Sequence, residues 1–502
     1  MRHRITFISC LLLAGVLLGA QLCVHRPRLE PTLREQQPSS SEQAFGSSPP
    51  PAACVFLLRD AGETLALLPV LRRLRATSPK NIAILGVLTG HGTAPASTLS
   101  EPGVTSFAAL GIEDPALAQR NVTLSVEAVA RILDVTRPSL LVTGIVSAVQ
   151  LQVARAVRAS GAAAVIGFDD GLGTSVDASS WPVVALSSLA VDELWTVADP
   201  ITAKLSSFAS PIAQRVLTVG SPALEAWPEQ AVAAGPAALA ALRASAFGVR
   251  SPATPVVLYF GGYGVGYEAA VQTFAAAAAR LQRRADPSGP PPVAIAFARH
   301  PGPNFTSDFE RKAFAAAGVV ASFVENASSA LLAAVANLSV SQDSTASNQA
   351  LLVGTPSVFC TGRHAPPPAN LGVATGLIPV ADSPEAFVRA FADAQRDGFR
   401  VSADRIRALG VPLGAEARMA DRIAELQRRQ WRRGQEAPLQ PGASASLVVA
   451  RATDVTAARL VSHDLARKET LVMSWSLWRT RHDDALDHGE RVLASHASAG
   501  SE

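Results

Sequence analysis

The chain is poor in cysteine, in aromatic residues and in surplus charge, and each shortage excludes a class of protein. Four cysteines in 502 residues, with no CxxC pair, exclude a disulfide framework and make a metal site unexpected; Cys54 and Cys360 are predicted to be small buried residues of strands. Aromatic residues make up 5% of the chain, which favours helices packed on parallel strands over an aromatic-rich β-sandwich. A net charge of +3, spread along the chain, gives no nucleic-acid-binding footprint, so no nucleic acid partner is expected.

The apolar content, 48%, is ample for two domains, and the N-terminus adds a targeting segment. Basic residues flank the apolar run Ile5–Val24, which is long enough to cross a bilayer. Residues 1–26 are therefore predicted to be a membrane anchor, with a cleaved signal peptide as the alternative because Gly19-Ala20 is an acceptable cleavage site. Residues 27–53, rich in Pro, Ser and Gln, are typical of a flexible stem.

Four of the seven asparagines begin N-x-S/T sequons, which bears on the compartment. Asn121, Asn304 and Asn326 are predicted glycosylation sites if the chain enters a secretory pathway, whereas Asn337 lies too close to a predicted buried strand. Together with the anchor and the stem, these sequons favour a membrane-anchored enzyme in the lumen of the Golgi or secretory pathway. Secretion after signal cleavage is the alternative.

Two series of alternating strands and helices follow the stem. Short apolar runs such as Val55–Leu58 alternate with amphipathic stretches such as Leu65–Arg75, a pattern typical of parallel, doubly wound α/β sheets. An Ala-rich stretch separates the first series from a second one, which begins at Val256. The predicted parts are a first domain, an interdomain linker region, a second domain and a C-terminal extension, at residues 54–225, 226–255, 256–435 and 436–502.

Polar segments follow several of the predicted strands. Three of them are FDDGLG (Phe168–Gly173), RHPG (Arg299–Gly302) and SQDSTASNQALLVGTP (Ser341–Pro356), and RDAGE (Arg59–Glu63) and GGYGVG (Gly261–Gly266) lie in equivalent places. In open α/β sheets, ligands bind outside the carboxyl ends of the strands. Two such domains with their strand ends facing one another form a cleft, so the segments predict a site for a nucleotide-linked substrate.

The hydroxyl cluster in the second half predicts a phosphate site. Ser344, Thr345 and Ser347 stand where a helix begins, so their hydroxyls and the free backbone N–H groups form an anion site at the positive end of the helix dipole. Ordinary N-capping by Asp343 or Ser344 is the competing interpretation, but it accounts for one polar residue only.

Two other segments of the second half add candidate phosphate-binding groups. Arg299 and His300 follow a predicted strand, and Pro301 then turns the chain so that both side chains project from the sheet edge toward phosphate oxygens. The glycine-rich turn, with Gly262 and Gly264, allows backbone to approach a pyrophosphate, although its spacing departs from the dinucleotide-binding pattern.

Carboxylates of the first half are candidates for a general base. Asp169 and Asp170 end a strand, and two adjacent side chains cannot both face one way, so one is expected in the cleft and the other against the loop. A turn-forming Asp-Asp-Gly is an equally good interpretation of the pair. Glu63, which opens the first helix, is a rival base.

Over Val55–Arg432 the chain resembles the nucleotide-sugar glycosyltransferases of the GT-B fold, which consist of two facing Rossmann-like domains. The segments AGETLALLPVLRRL, DELWTVAD, VLTVGSPALEAW and SVSQDSTASNQALLVGTPSVF carry the resemblance. The order Asp-Asp-Gly, His-Pro and Ser/Thr cluster is similar to that of bacterial-type sialyltransferases and polysialyltransferases. This similarity implies Asp169 or Asp170 as the base, with His300, Ser344 and Thr345 on the donor phosphates.

The expected function is that of an inverting glycosyltransferase without a metal or other cofactor. It would transfer a sugar from a nucleotide-sugar donor, its co-substrate, to a glycan or lipid acceptor, and it would contact the membrane through its N-terminal segment. A non-hydrolysing nucleotide-sugar epimerase or a polyol-phosphate transferase of the same fold is the alternative. A catalytically silent glycan-binding protein is a further one.

Overall fold

A computed structural model gives the fold. The residues it describes are 53–59, 61–85, 96–112, 124–145, 148–161, 163–171, 190–206, 215–262, 266–283, 293–299, 308–325, 327–363, 365, 368 and 370–436. The whole predicted anchor lies outside this set. The predicted stem lies outside it except for residue 53, and the predicted C-terminal extension lies outside it except for residue 436. His300, Gly264 and the sequons at Asn121, Asn304 and Asn326 lie outside it too. Among the described helices, none has both the length and the apolar character needed to cross a bilayer.

Among the described residues, the first lobe has seven strands in one parallel sheet. Their order across the sheet is β3-β2-β1-β4-β5-β6-β7, so the chain begins in the middle and winds outward twice, first to one edge and then to the other. The strands are β1 (Ala53–Leu58), β2 (Ile82–Leu85), β3 (Val104–Ser106), β4 (Pro138–Gly144), β5 (Ala164–Asp169), β6 (Glu193–Thr196) and β7 (Val216–Thr218).

The helices of this lobe occupy the crossovers between parallel strands. Helix α2 begins after Ser125, whose hydroxyl accepts a hydrogen bond from the backbone N–H of Ala128 at 3.1 Å, an N-cap that satisfies one of the free donors of the first turn. The bounds are α1 (Ala61–Thr77), α2 (Val126–Thr136), α3 (Ala148–Ser160) and α4 (Asp199–Ser206), with short 3₁₀ helices at Ala96–Ser100 and Ala108–Leu110.

The second lobe repeats the arrangement, and the part of it that the structure describes has six parallel strands in the order β10-β9-β8-β11-β12-β13. The strands are β8 (Val256–Phe260), β9 (Ala294–Ala298), β10 (Ala321–Val324), β11 (Leu338–Ser341), β12 (Ser357–Cys360) and β13 (Val380–Ala381). The chain enters this lobe through α5 (Pro222–Phe247), and the helices that follow are α6 (Tyr267–Arg283), α7 (Asp308–Ala316), α8 (Ser329–Val335), α9 (Thr345–Leu352), α10 (Leu371–Ala374), α11 (Pro384–Arg396), α12 (Ala403–Arg407) and α13 (Ala415–Glu436).

Helices cover both faces of the second sheet, and the side chains of β8 alternate between two cores. Val257 and Tyr259 pack under α6, α7 and α11, whereas Val256, Leu258 and Phe260 pack against α5 and α8. A strand buried on both faces has to be apolar at every position, which is why VVLYF is a continuous apolar run in the sequence.

The stretch that the sequence marks as an interdomain linker is mostly helical. Alanine is the strongest helix former, so the Ala-rich segment continues α5 to Phe247. Gly235, at φ 72°, and Pro236 interrupt it, because a left-handed backbone and a missing N–H both break the helical hydrogen-bond pattern. The linker is therefore a kinked helix rather than an extended segment.

The final described helix, α13, returns to the first lobe. Met419 and Ile423 are fully buried in the core formed by the first sheet, and the helix packs against α1 and β4. The Arg422 guanidinium binds Glu193 of β6, which also accepts from the indole N–H of Trp195 at 3.1 Å. The pair raises the pKa of Arg422, chiefly through the hydrogen bond to Glu193. Residues 415–436 thus complete the first lobe although they follow the second lobe in the chain.

Candidate functional site

The paired aspartates at the end of β5 occupy different environments. Asp169, the last residue of the strand, is 2% exposed, and its Oδ1 accepts a hydrogen bond from the N–H of Gly171 at 3.1 Å. An Asp that binds the backbone two residues ahead forms an Asx turn, so this carboxylate shapes the loop that leaves the strand. Asp170 lies one position farther along and is partly exposed. Of the two aspartates, Asp170 is the less buried.

Glu63 is fully buried in the first turn of α1. Its Oε2 accepts hydrogen bonds from the N–H of Arg59 at 2.8 Å and from Nε2 of Gln150 at 2.7 Å. Gln150 also donates to the carbonyl of Leu57 at 3.0 Å. A Cβ on Gly144 would overlap Oε1 of Glu63, so glycine at the end of β4 makes the room that this carboxylate occupies. The carboxylate thereby fastens the turn after β1 to β4 and α3.

The hydroxyls at the start of α9 also divide into buried and exposed groups. Ser344 is the N-cap, and its hydroxyl accepts from the N–H of Ala346 at 3.2 Å. The Ser347 hydroxyl is fully buried and bonds to that of Ser341 at 2.7 Å. Thr345 is exposed. The first turn of α9 therefore offers the Thr345 hydroxyl and the helix dipole to a ligand, while Ser347 stabilises the turn from inside.

Buried amides hold α9 against α10. Nδ2 of Asn348 donates to Oδ1 of Asn370 at 2.7 Å, and the N–H of Gly372 donates to Oδ1 of Asn348 at 3.0 Å. Asp343, in the turn before α9, hydrogen-bonds to Asn370. Desolvation raises the pKa of Asp343 to about 7, and the bond to Asn370 opposes that rise. Because the residue itself is exposed at the surface, solvent screens its interactions with other charges.

The glycine-rich turn and the turn after β11 lie side by side. Gly266 has φ +79°, a conformation that favours glycine, and a Cβ there would lie 3.6 Å from Nε2 of Gln342. Arg299 directly follows β9, the neighbour of β8, and its side chain is exposed. Three of the segments singled out in the second half of the sequence therefore meet at one edge of one sheet.

Several residues at the carboxyl ends of the two sheets carry only weak signals in the sequence. Gln150 is a polar residue in the apolar stretch of α3, and Asn370 precedes Leu-Gly at the start of α10, which is a typical N-cap position. Tyr267 and Glu310, at the first turns of α6 and α7, have no pattern that distinguishes them from other helix starts. Their roles depend on contacts between segments distant in sequence.

Comparison with solved structures identifies relatives of the fold. The UDP-GlcNAc 2-epimerase of Neisseria meningitidis, solved with UDP-GlcNAc bound, aligns with a TM-score of 0.53 and 13% identity over 74% of this chain and 100% of its own. MnaA of S. aureus, solved with UDP, aligns at 0.54 and 12% identity over 78% of this chain and 100% of its own. The UDP-GlcNAc 2-epimerase of Methanocaldococcus jannaschii aligns at 0.51 and 13% identity over 74% of this chain and 99% of its own.

These similarities establish the class of fold. No protein-family model matches the chain, and a search of curated protein sequences gives no match. The two parallel-sheet, Rossmann-like lobes have the GT-B fold, which the UDP-GlcNAc 2-epimerases above share. The expectation of a GT-B fold is therefore confirmed, while identities of 12–13% leave the reaction to be argued from this chain's own residues.

Proposed function

We propose that the protein is an inverting, nucleotide-sugar-dependent glycosyltransferase. The observation that carries the proposal is the difference among the three candidate carboxylates of the first lobe. Glu63 and Asp169 are buried and bonded to backbone N–H groups, whereas Asp170 is partly exposed at the carboxyl end of β5. A single accessible carboxylate suits one proton transfer from an acceptor hydroxyl.

The proposed reaction is a direct displacement. Asp170 takes the proton of an acceptor hydroxyl as its oxygen attacks the anomeric carbon of the donor sugar. The bond from that carbon to the phosphate oxygen breaks, and the nucleotide leaves with the electron pair. Thr345, the N-terminus of α9 and Arg299 would bind the phosphates, since hydroxyls, helix dipoles and guanidinium groups stabilise the charge that develops on a departing phosphate. Ser344 contributes by capping the helix.

The choice of nucleotide and acceptor extends this proposal. The order of the Asp-Asp-Gly, Arg-His-Pro and Ser/Thr segments supports a cytidine nucleotide sugar of the sialyltransferase kind. The solved relatives with UDP or UDP-GlcNAc bound support a uridine nucleotide sugar. A glycan or a lipid would serve as the acceptor, and we propose His300 as a further phosphate ligand from its place in the sequence beside Arg299.

Epimerisation is the second candidate, because the relatives with TM-scores above 0.5 include UDP-GlcNAc 2-epimerases. Inverting a carbon that carries hydrogen requires acid–base groups on both faces of one sugar ring. The burial of Glu63 and Asp169 favours transfer over this reaction, since neither carboxylate is at the surface where it could act on the opposite face from Asp170.

A two-stage experiment tests the proposal. Melting temperatures of the full chain are measured with UDP, CDP, CMP and their sugar derivatives, because a ligand that binds only the native state raises the melting temperature. The nucleotide sugar that stabilises the protein is then incubated with glycan and lipid acceptors in deuterium oxide. Release of nucleotide with a glycosylated acceptor supports transfer. If the sugar instead gains deuterium at an inverted carbon and no acceptor is glycosylated, the reaction is epimerisation and the transferase proposal is wrong. If no nucleotide stabilises the protein, both proposed reactions are contradicted.

A further inference from the structure

A buried hydrogen-bond pair joins the helices that follow β8 and β9. Tyr267 is the first residue of α6 and is 4% exposed, and its hydroxyl donates to Oε1 of Glu310 at 2.9 Å. Glu310, in the first turn of α7, is also 4% exposed. The backbone of Gly262, in the glycine-rich turn, hydrogen-bonds to the same Tyr267 hydroxyl. One phenol thus links the turn after β8 to a carboxylate on the helix after β9.

This buried polar pair borders an apolar core. The neighbouring core consists of aromatic rings, with Tyr259 stacked on Phe297 at 5.6 Å and tilted against Phe274 at 4.9 Å. Burial first, and then the charge of Glu310, raise the pKa of Tyr267, while the bond from Gly262 opposes the rise. The hydroxyl therefore stays protonated and keeps donating to Glu310.

The geometry of the turn explains what the pair can do. A Cβ on Gly262 would lie 3.5 Å from two carbons of the Tyr267 ring, so the backbone of the turn lies beside the tyrosine ring. The N–H of Gly261 donates to the carbonyl of Ala298, the last residue of β9, at 2.8 Å. The start of the glycine-rich turn is thereby fixed from two sides, by the end of β9 and by the Tyr267 hydroxyl.

We propose that Tyr267 and Glu310 are positioning residues, which hold the backbone of Gly261 and Gly262 in the conformation that receives the phosphate of the donor nucleotide. The inference rests on the proposed function, because it assigns the nucleotide to this edge of the second sheet. Neither side chain touches the nucleotide, since both are enclosed in the core. Their contribution is to binding of the donor rather than to the proton transfer in the first lobe.

Tyr267→Phe tests the role, because it removes one hydroxyl and leaves the ring. We expect the Kd for UDP or CMP, measured by isothermal titration on the full chain, to rise about tenfold, as loss of a hydrogen bond to a charged group predicts. The donor KM should rise by the same factor with kcat within about twofold, the sign of a lost uniform binding interaction. Glu310→Gln, which keeps an acceptor oxygen, should restore most of the affinity that Glu310→Ala loses.

Tyr259→Phe is the matched control. Its hydroxyl is buried in the same aromatic core and has no hydrogen-bond partner among the described residues. Its removal should leave nucleotide Kd unchanged, whatever it does to the melting temperature.

The outcomes separate the two proposals. A wild-type protein that binds neither UDP nor CMP overturns the proposed function. A wild-type protein that binds one of them, with equal Kd values for Tyr267→Phe and Tyr259→Phe, overturns the positioning role alone. A fall in melting temperature without ligand, at constant Kd, would also assign the pair to stability only. If Tyr267→Phe does not fold, the comparison of Glu310→Gln with Glu310→Ala decides the question by the same Kd criterion.

Discussion

The two sheets share the strand order that winds outward from a central strand, yet the polar groups at their carboxyl ends differ in kind. The first lobe presents carboxylates there, with Asp170 accessible and Glu63 and Asp169 fastening loops. The second lobe presents a capped helix start, an exposed Thr345 and glycine backbone, with Asp343 as the carboxylate in the turn before α9. Carboxylates repel phosphate and accept protons, while helix N-termini attract phosphate. The two sheets therefore share a strand order but differ in the polar groups at their carboxyl ends.

Removing the accessible carboxylate should have the largest effect. Asp170→Asn is expected to lower kcat by about 100-fold or more, because an amide cannot take the acceptor proton. Nucleotide Kd should stay unchanged, since the donor belongs to the second lobe. Steady-state kinetics and titration calorimetry measure the two quantities.

The control for this variant is Asp169→Asn, which keeps an oxygen to accept the Gly171 N–H. We expect it to retain most of its activity. If the two variants were reversed in effect, Asp169 would be the base and the turn would have to open during catalysis.

The ion pair that attaches α13 to the first sheet should respond next. Arg422→Met is expected to lower the free energy of unfolding by about 2 kcal/mol, because it leaves the carboxylate of Glu193 partly buried without its cation. Urea denaturation followed by circular dichroism measures the change. Arg429→Ala, on the same helix, removes an ion pair with Glu425 that is exposed on both sides and should change nothing measurable.

Helix caps in the two lobes give a matched comparison at smaller scale. Ser344→Ala and Ser125→Ala each remove an N-cap hydroxyl, so each should lower the free energy of unfolding by about 1 kcal/mol. Only Ser344→Ala should also weaken nucleotide binding, because α9 opens at the proposed donor site. Equal nucleotide Kd values for the two variants would contradict a phosphate-binding site at the start of α9.

The smallest effect concerns pH. Asp343 has a pKa of about 7 in the folded protein against 3.8 for its ordinary value, so its contribution to stability is lost as pH rises through that interval. Asp343→Asn should therefore raise the melting temperature more at pH 8 than at pH 5. The screening at this exposed residue keeps the difference small. An equal gain at both pH values would show that the carboxylate is not desolvated.

The strands were the most predictable part of the molecule. Runs such as VVLYF are apolar at every position because both faces are covered, and such runs are legible in sequence. The two strands without a clear signal, β3 and β13, lie at sheet edges and have only three and two residues. A pattern of that length is too short to show a period.

The direction in which a polar side chain points could not be predicted. Asp169 and Asp170 are identical in type and adjacent in sequence, yet Asp169 ends β5 and is buried, whereas Asp170 lies in the loop that follows and is partly exposed. Ser347 is three positions after the cap Ser344, a spacing that leaves its helical face undecided without the sheet on which α9 packs. The predicted second domain included residues 415–435, whereas α13 packs against α1 and β4 of the first lobe.

The return of α13 sets an order of events during synthesis. The segment that buries Met419 and Ile423 against the first lobe leaves the ribosome only after the whole second lobe has been made. At ordinary rates of translation, the roughly 200 intervening residues take about 10 to 40 s. Throughout that interval the apolar surface on α1 and β4 that α13 later buries is exposed, and a chaperone or a neighbouring nascent chain can bind it. The apolar surface of the first lobe is therefore covered only when Met419 and Ile423 of α13 pack against it.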